Sequence, residues 1–355
     1  PNPGAGGGGP YWCGFFVQAP WRTYVNYNDP RLIEKYYSQM KEWFKYVDKY
    51  TVDGLLKRWP DTKYRDWYLG DWLAPMGVDA GNQASVDLVS NCFISECLST
   101  MYKTAITLGK REEAEEFAIR REKLNKLIHQ TFYREDEGIY STGSQLDMCY
   151  PMLVGVVPDS LYNKVKENVV AMTEEKYKGH IAVGLVGVPI LTEWAVRNKQ
   201  VDFFYQMMKK RDYPGYLYMI DHGATATWEY WSGERSRVHN CYNGIGTWFY
   251  QAVGGIRLDE ANPGYRHFYV DPQIPNGVTW AKVTKESPYG TIAVNWKLKD
   301  DNQLNLQLTI PAGTTATVCI PNNAVSCKKN KKKVSVKEQT VDVEAGHYDF
   351  LFNLK

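Results

Sequence analysis

This sequence lacks a charge imbalance: 42 Lys and Arg stand against 40 Asp and Glu, a formal net charge of +2. A dedicated nucleic-acid surface is therefore not expected. The one basic cluster, Lys328 to Lys333, reads as a solvated hairpin tip. No apolar run approaches the length of a bilayer span, so no membrane segment is expected. The cysteines (Cys13, Cys92, Cys97, Cys149, Cys241, Cys319 and Cys327) are odd in number and match no zinc spacing. They read as buried free thiols, with a Cys319–Cys327 bridge left open. The six histidines are scattered, without carboxylate partners at ligand spacing, so neither a metal nor a cofactor is expected. There is no strict repeat and no initiator Met. The chain opens on Pro1-Asn2-Pro3-Gly4, which reads as a loop, and is expected to be a piece of a longer or processed protein.

What is abundant is aromatic side chain: 14% of the 355 residues, with 26 Tyr and 12 Trp. The length allows two domains or one large one, and with 44% hydrophobic residues a large packed core is expected. The densest aromatic stretch runs from Asp221 to Tyr250. Within it, Glu229 sits among Trp228, Tyr230 and Trp231, and His239 follows ten residues later. A sugar stacks its C–H faces on flat rings and offers hydroxyls to a few placed polar groups. An acid in an aromatic cleft is the equipment of a glycosidase, and Glu229 is the candidate catalytic residue. The competing reading is a Trp-rich loop packing a helix end, with Glu229 as a capping acid.

The order of elements follows from periodicity. Residues 1–30 read as loop. Asp29-Pro30 then opens a helix whose apolar residues Leu32, Ile33, Tyr36, Tyr37, Met40, Trp43, Phe44 and Val47 recur at helical spacing. Residues 51–81 read as a long connection carrying Asp66-Trp67 and Gly70-Asp71-Trp72-Leu73. Helices are expected at about 83–108, 111–133, 159–175, 180–197 and 200–211, the second with an outer, solvated face. Helix hairpins of this kind close into a toroid. From Tyr265 onward short alternating runs dominate, expected as an antiparallel β-sandwich of about 90–100 residues. The expected domains are 1–256, a helical (α/α) toroid catalytic domain, and 257–355, a C-terminal β-sandwich.

Laid out in this order, the chain resembles the bacterial α-L-rhamnosidases, inverting glycosidases with a six-hairpin helical toroid and a C-terminal β-sandwich. Gly223-Ala224-Thr225-Ala226-Thr227-Trp228-Glu229-Tyr230-Trp231 is similar to that family's Gly-Ala-Thr-Thr-x-Trp-Glu-Arg-Trp segment. Ser236-Arg237-Val238-His239-Asn240, Pro263-Gly264-Tyr265-Arg266-His267-Phe268, Ser287-Pro288-Tyr289-Gly290, Gly70-Asp71-Trp72-Leu73, Gln145 and Gly179 to Pro189 also resemble family segments.

The resemblance implies hydrolysis of terminal α-L-rhamnosyl residues of a glycan or glycoside, with inversion and with Glu229 as general base. It implies His239 as a sugar contact, and Trp72 and one of Trp12 or Trp21 as walls around the ring, with Trp228 and Trp231 beside the acid. Asp71 is implied as a hydroxyl ligand, set against a helix cap. A periplasmic or extracellular location is implied by the same resemblance. Departures are Tyr230 in place of Arg, Val238 in place of Asn, and a short loop between Glu229 and His239. The general acid of inverting hydrolysis, about 6.5–9.5 Å from the base, belongs in the family to an upstream segment not found here. About seven or eight helices are expected, against twelve for a closed toroid. An N-terminal fragment of the same protein is therefore expected to complete the ring. Asp221, Glu234 and Asp66 are fallback acids; His180 and His222 read as structural. Rival readings are a non-catalytic carbohydrate-binding protein on this scaffold, or another toroid glycosidase or a lyase.

Overall fold

The computed structural model describes residues 8–59, 68–299 and 302–355. Asp66, Trp67 and the opening Pro1-Asn2-Pro3-Gly4 run lie outside them. The chain divides into two compact units, Pro1–Trp21, Ile33–Asn198 and Phe203–Ile245 in the first, and Arg22–Leu32, Lys199–Asp202 and Gly246–Lys355 in the second.

The first unit is helical. Its long Gln83–Thr107 helix is capped by the Asn82 side chain, which accepts from the Ala84 N–H at 3.0 Å. Residues on every side of it are buried, among them Leu88, Asn91, Cys92, Phe93, Cys97 and Met101, so it runs through the core. Buried Asn91 bonds both the N–H and C=O of Leu56, tying the small 51–56 hairpin to this helix. Arg111–Phe132 buries one stripe, Ala114, Leu124, Ile128 and Phe132, and leaves its charged face to solvent. Arg31–Asp48 buries Ile33, Tyr37, Met40, Phe44 and Val47, the spacing read from the sequence.

Two expectations are corrected here. Residues 1–30 are not all loop: Pro10–Cys13 and Phe15–Tyr27 are helical. Val17, Trp21 and Val25 recur every four residues and are buried, a stripe that Pro20 inside the helix disguises. The helix expected from residue 180 begins only at Gly187: residues 181–184 have no regular secondary structure, and Ala182 and Gly184 give their N–H groups to the side chains of Gln145 and Asp71.

The second unit holds two sheets. Thr340–Val343, Thr315–Cys319, His267–Val270 and Ile256–Leu258 form one of four strands. Lys332–Val334, Ala324–Lys329, Gly346–Leu354, Gln303–Ile310, Gly290–Lys299 and Trp280–Ser287 form one of six, in that spatial order. Along the larger sheet Ile292, Val294, Trp296, Leu304, Leu306, Leu308, Phe350 and Phe352 alternate inward and are buried. The expectation of a purely antiparallel sandwich needs one amendment. His267–Val270 and Thr315–Cys319 pair in parallel, because the chain passes through three strands of the other sheet between them. The Lys328–Lys333 cluster is a hairpin whose tip, Asn330-Lys331, has φ of 49° and 69°. All seven cysteines are free, Cys319 and Cys327 included.

Candidate functional site

Three loops of the helical unit are sewn together: Gly70–Leu73, residues 180–187, and residues 227–242. Asp71 does most of the sewing. Its side chain is 2% exposed. Oδ2 accepts from the Gly184 N–H at 2.7 Å, and Oδ1 from Val186 and Gly187 at 3.1 and 2.8 Å. The Gly184 and Val186 N–H groups lead into the Gly187–Arg197 helix and that of Gly187 opens it; the N-cap residue, Val186, supplies no side-chain cap of its own. Asp71 is therefore a helix cap set from more than a hundred residues away, with both oxygens bonded; of the two roles the sequence left open, hydroxyl ligand and helix cap, its bonds are those of the cap. Burial is the larger influence on its carboxyl and pushes the pKa up to about 7, while the three N–H groups pull it down.

Leu185 returns the link, donating its N–H to the Trp72 carbonyl at 2.8 Å. The two backbones approach so closely that a Cβ on Gly184 would lie 2.1 Å from that oxygen. Gly184→Ala is expected to cost about 3 kcal/mol, the upper part of the usual overpacking range, because backbone rather than side chain must yield. Urea denaturation checks this; a loss under 1 kcal/mol would mean the loops part without cost. Gln145 adds a second brace: its amide donates to the His180 carbonyl at 3.0 Å and accepts from the Ala182 N–H at 2.8 Å. His180 itself is buried, with Nδ1 on the Pro214 carbonyl and Nε2 3.2 Å from Asp212.

The loop bearing Glu229 folds back on itself. The Glu229 N–H donates to Ser236 O at 2.9 Å, and the His239 N–H to Thr227 O at 2.8 Å. Gly233 makes the bend at φ 81°, and a Cβ there would come within 2.7 Å of the Trp228 indole. Trp228 is 1% exposed, with Arg237 5.2 Å above its ring. Trp231 is 2% exposed. Its Nε1–H donates to Val183 O at 2.9 Å, and its ring stacks on Tyr242 with centroids 4.1 Å apart. Tyr242 in turn donates its hydroxyl to Leu73 O at 3.1 Å. Trp228 and Trp231 therefore hold the loop from beneath and offer no open face to a ligand. Tyr242, not singled out from the sequence, is the partner of Trp231.

Glu229 is half-buried. One oxygen accepts a long bond from the Ser236 N–H at 3.4 Å, and the other has no protein partner among the described residues. No cation pairs with it among them. His239 is also half-buried, and its Nδ1 accepts from the Cys241 N–H at 3.1 Å. A neutral ring so placed carries its proton on Nε2, which is left as a donor. Burial pushes the Cys241 thiol up to about 12, and the charges of Glu229 and then Asp71 add to the shift. That thiol is thus not a nucleophile at neutral pH.

The remaining candidates are dispersed. Trp72 is half-buried in the sewn loop. Trp12 is half-buried against Tyr11, ring centroids 5.6 Å apart. Trp21 is 4% exposed, with Lys103 6.0 Å above its ring, so it packs the core. Asp221 is paired with Arg211 at 2.6 Å, and Glu234 is exposed on the bend. His222 is exposed and bonds Tyr218 O through Nδ1.

The family described as bacterial alpha-L-rhamnosidase 6 hairpin glycosidase domain matches residues 1–253, and bacterial alpha-L-rhamnosidase C-terminal domain matches residues 255–335. The chain is 26% identical to an alpha-L-rhamnosidase of Alteromonas sp. (strain LOR), over 93% of this chain and 36% of that protein. It is 27% identical to one of Formosa agariphila, over 96% and 38%. Among solved structures, Streptomyces avermitilis alpha-L-rhamnosidase complexed with L-rhamnose superposes with a TM-score of 0.85 at 22% identity, over 97% of this chain and 33% of that one. The Aspergillus terreus enzyme superposes at 0.81 and 23% identity, over 96% and 38%. The chain thus spans about a third of the length of these relatives, and at such identity the superpositions speak for the fold.

Proposed function

Because this chain belongs to the bacterial alpha-L-rhamnosidase six-hairpin glycosidase family, we propose that the protein of which it forms part hydrolyses terminal α-L-rhamnosyl residues with inversion, Glu229 acting as the general base. What carries the reading is the state of Glu229 in a segment otherwise locked down. Its carboxylate is half-exposed, free of any cation among the described residues, and keeps one oxygen unbonded. The backbone around it is fixed by Trp228, Trp231 and Tyr242. A base needs that combination: a fixed position and a lone pair available to water. In the single displacement Glu229 takes a proton from a water molecule as the water attacks the anomeric carbon and the glycosidic C–O bond breaks. His239, donating through Nε2, holds a sugar hydroxyl. Trp72 is assigned to the side of the ring. Protonation of the leaving oxygen is assigned, by resemblance, to an acid outside this chain.

Inversion is read from the product. In the longest natural form of the protein, an aryl α-L-rhamnoside should release β-L-rhamnose first, seen by proton NMR before mutarotation. First release of the α-anomer would require a covalent intermediate and would remove Glu229 from the role of base. Rhamnose binding without turnover would favour a binding protein, and an unsaturated product a lyase.

A further inference from the structure

The second unit carries a surface that hydrolysis at Glu229 does not use. Trp280 opens the edge strand Trp280–Ser287 of the six-stranded sheet and is 64% exposed. Its indole makes no ring contact and no hydrogen bond among the described residues. Leaving so large an apolar face in water is costly, and tryptophan is seldom left so.

Its neighbours follow from the register. Lys297 is directly opposite Trp280 on the adjacent strand, and Lys282 lies two residues along on the same face. Lys299 is two residues beyond Lys297. All three are exposed, and none is paired with a carboxylate among the described residues. Lysine on an edge strand keeps that strand from pairing with another sheet, which accounts for Lys282. It does not account for Lys297 or Lys299, one strand in, nor for the indole. Among the described residues the acids of the face lie farther off. Glu286 is six residues along, roughly 20 Å, and Asp349 three strands across, roughly 14 Å. Both exceed the screening length of about 10 Å at 0.1 M salt. The patch around the ring is thus positive even though the whole chain is near neutral.

Inward from the lysines the face is amide. Asn295 stands between Lys282 and Gln307 in the ladder, and Asn305 is opposite Lys297. The Asn295 Oδ1 is buried and has no hydrogen-bond partner among the described residues. An unbonded buried amide oxygen seeks a donor. A flat ring, ammonium groups beside it and side-chain amides behind them together match one kind of ligand. That ligand has a C–H face for the indole, an anionic substituent for the lysines and hydroxyls for the amides.

We propose that this face, centred on Trp280 with Lys282, Lys297 and Asn295, binds an acidic polysaccharide, a sugar chain bearing carboxylate or sulfate groups. The site belongs to the second unit and holds the protein on its polymer. The test is affinity electrophoresis of this chain in gels containing polygalacturonate, dextran sulfate or neutral dextran. Retardation by polygalacturonate, by dextran sulfate, or by both, and none by dextran, is expected. Trp280→Ala should weaken it about tenfold, the worth of a stacked ring. The double variant Lys282→Gln with Lys297→Gln should weaken it at least as much, and Glu229→Gln should leave it unchanged. Trp280→Ala is not expected to disturb folding, which circular dichroism checks. Retardation that survives Trp280→Ala would mean nonspecific attraction of a polyanion to lysines and would overturn the proposal. So would equal binding to neutral dextran, no binding to either anionic polymer, or loss on Glu229→Gln.

Discussion

Glu229→Gln is expected to lower turnover of an aryl α-L-rhamnoside by about 100- to 10,000-fold, the range that a positioned general base contributes. Glutamine keeps the length of the side chain and an oxygen that can accept from the Ser236 N–H, so the loop should keep its shape. What it cannot do is take a proton. Rhamnose affinity should therefore change little while kcat falls, which separates chemistry from binding. Because Glu229 is half-exposed and lacks an ion-pair partner among the described residues, the substitution should hardly alter stability. Turnover within a few-fold of the unmutated protein would remove Glu229 from catalysis. The measurement is made in the longest natural form of the protein.

The second large effect concerns Asp71. Asp71→Ala leaves three buried N–H groups without an acceptor, those of Gly184, Val186 and Gly187. At about 1 kcal/mol or more for each, the loss should reach roughly 3 kcal/mol. Chemical denaturation followed by tryptophan fluorescence reads it; a loss below 1 kcal/mol would show that the cap is dispensable. Asp71 also gives stability a pH dependence of definite sign. The carboxyl titrates at 3.8 when unperturbed and at about 7 when buried. Between those values the folded chain binds more protons than the unfolded chain. Stability contributed by this group is therefore full below about pH 4 and falls as pH rises to about 7, then levels off. Asp71→Asn cannot ionise, so the difference in stability between the unmutated chain and this variant should shrink across that window. A difference that grows with pH would mean the three N–H donors outweigh burial.

Much of the fold is legible in the sequence because it is local. Ile33, Tyr37, Met40, Phe44 and Val47 recur at helical spacing, and a helix that must bury them has one face to do it with. Ile292, Val294 and Trp296 alternate, and a strand follows. The Phe15–Tyr27 helix was hidden because Pro20 interrupts its backbone pattern while its buried stripe continues. The hairpin of Ala324–Lys329 and Lys332–Val334 was legible from its lysine-rich tip, whereas Thr340–Val343 was hidden because polar residues blur its alternation.

The sequence by itself determined the two kinds of architecture, their order, and the acid set among tryptophans, since each is written in neighbouring residues. Only the tertiary structure decided what the neighbours of that acid do. Trp228 and Trp231 turned out to be buried supports of the loop: Trp231 stacks on Tyr242 and bonds Val183 O, and Trp228 lies under Arg237. Asp71 turned out to be a cap, because the N–H groups it serves lie 113 to 116 residues farther along the chain. Periodicity reaches a few residues in either direction; a bond closed across a hundred exists only once the chain has folded.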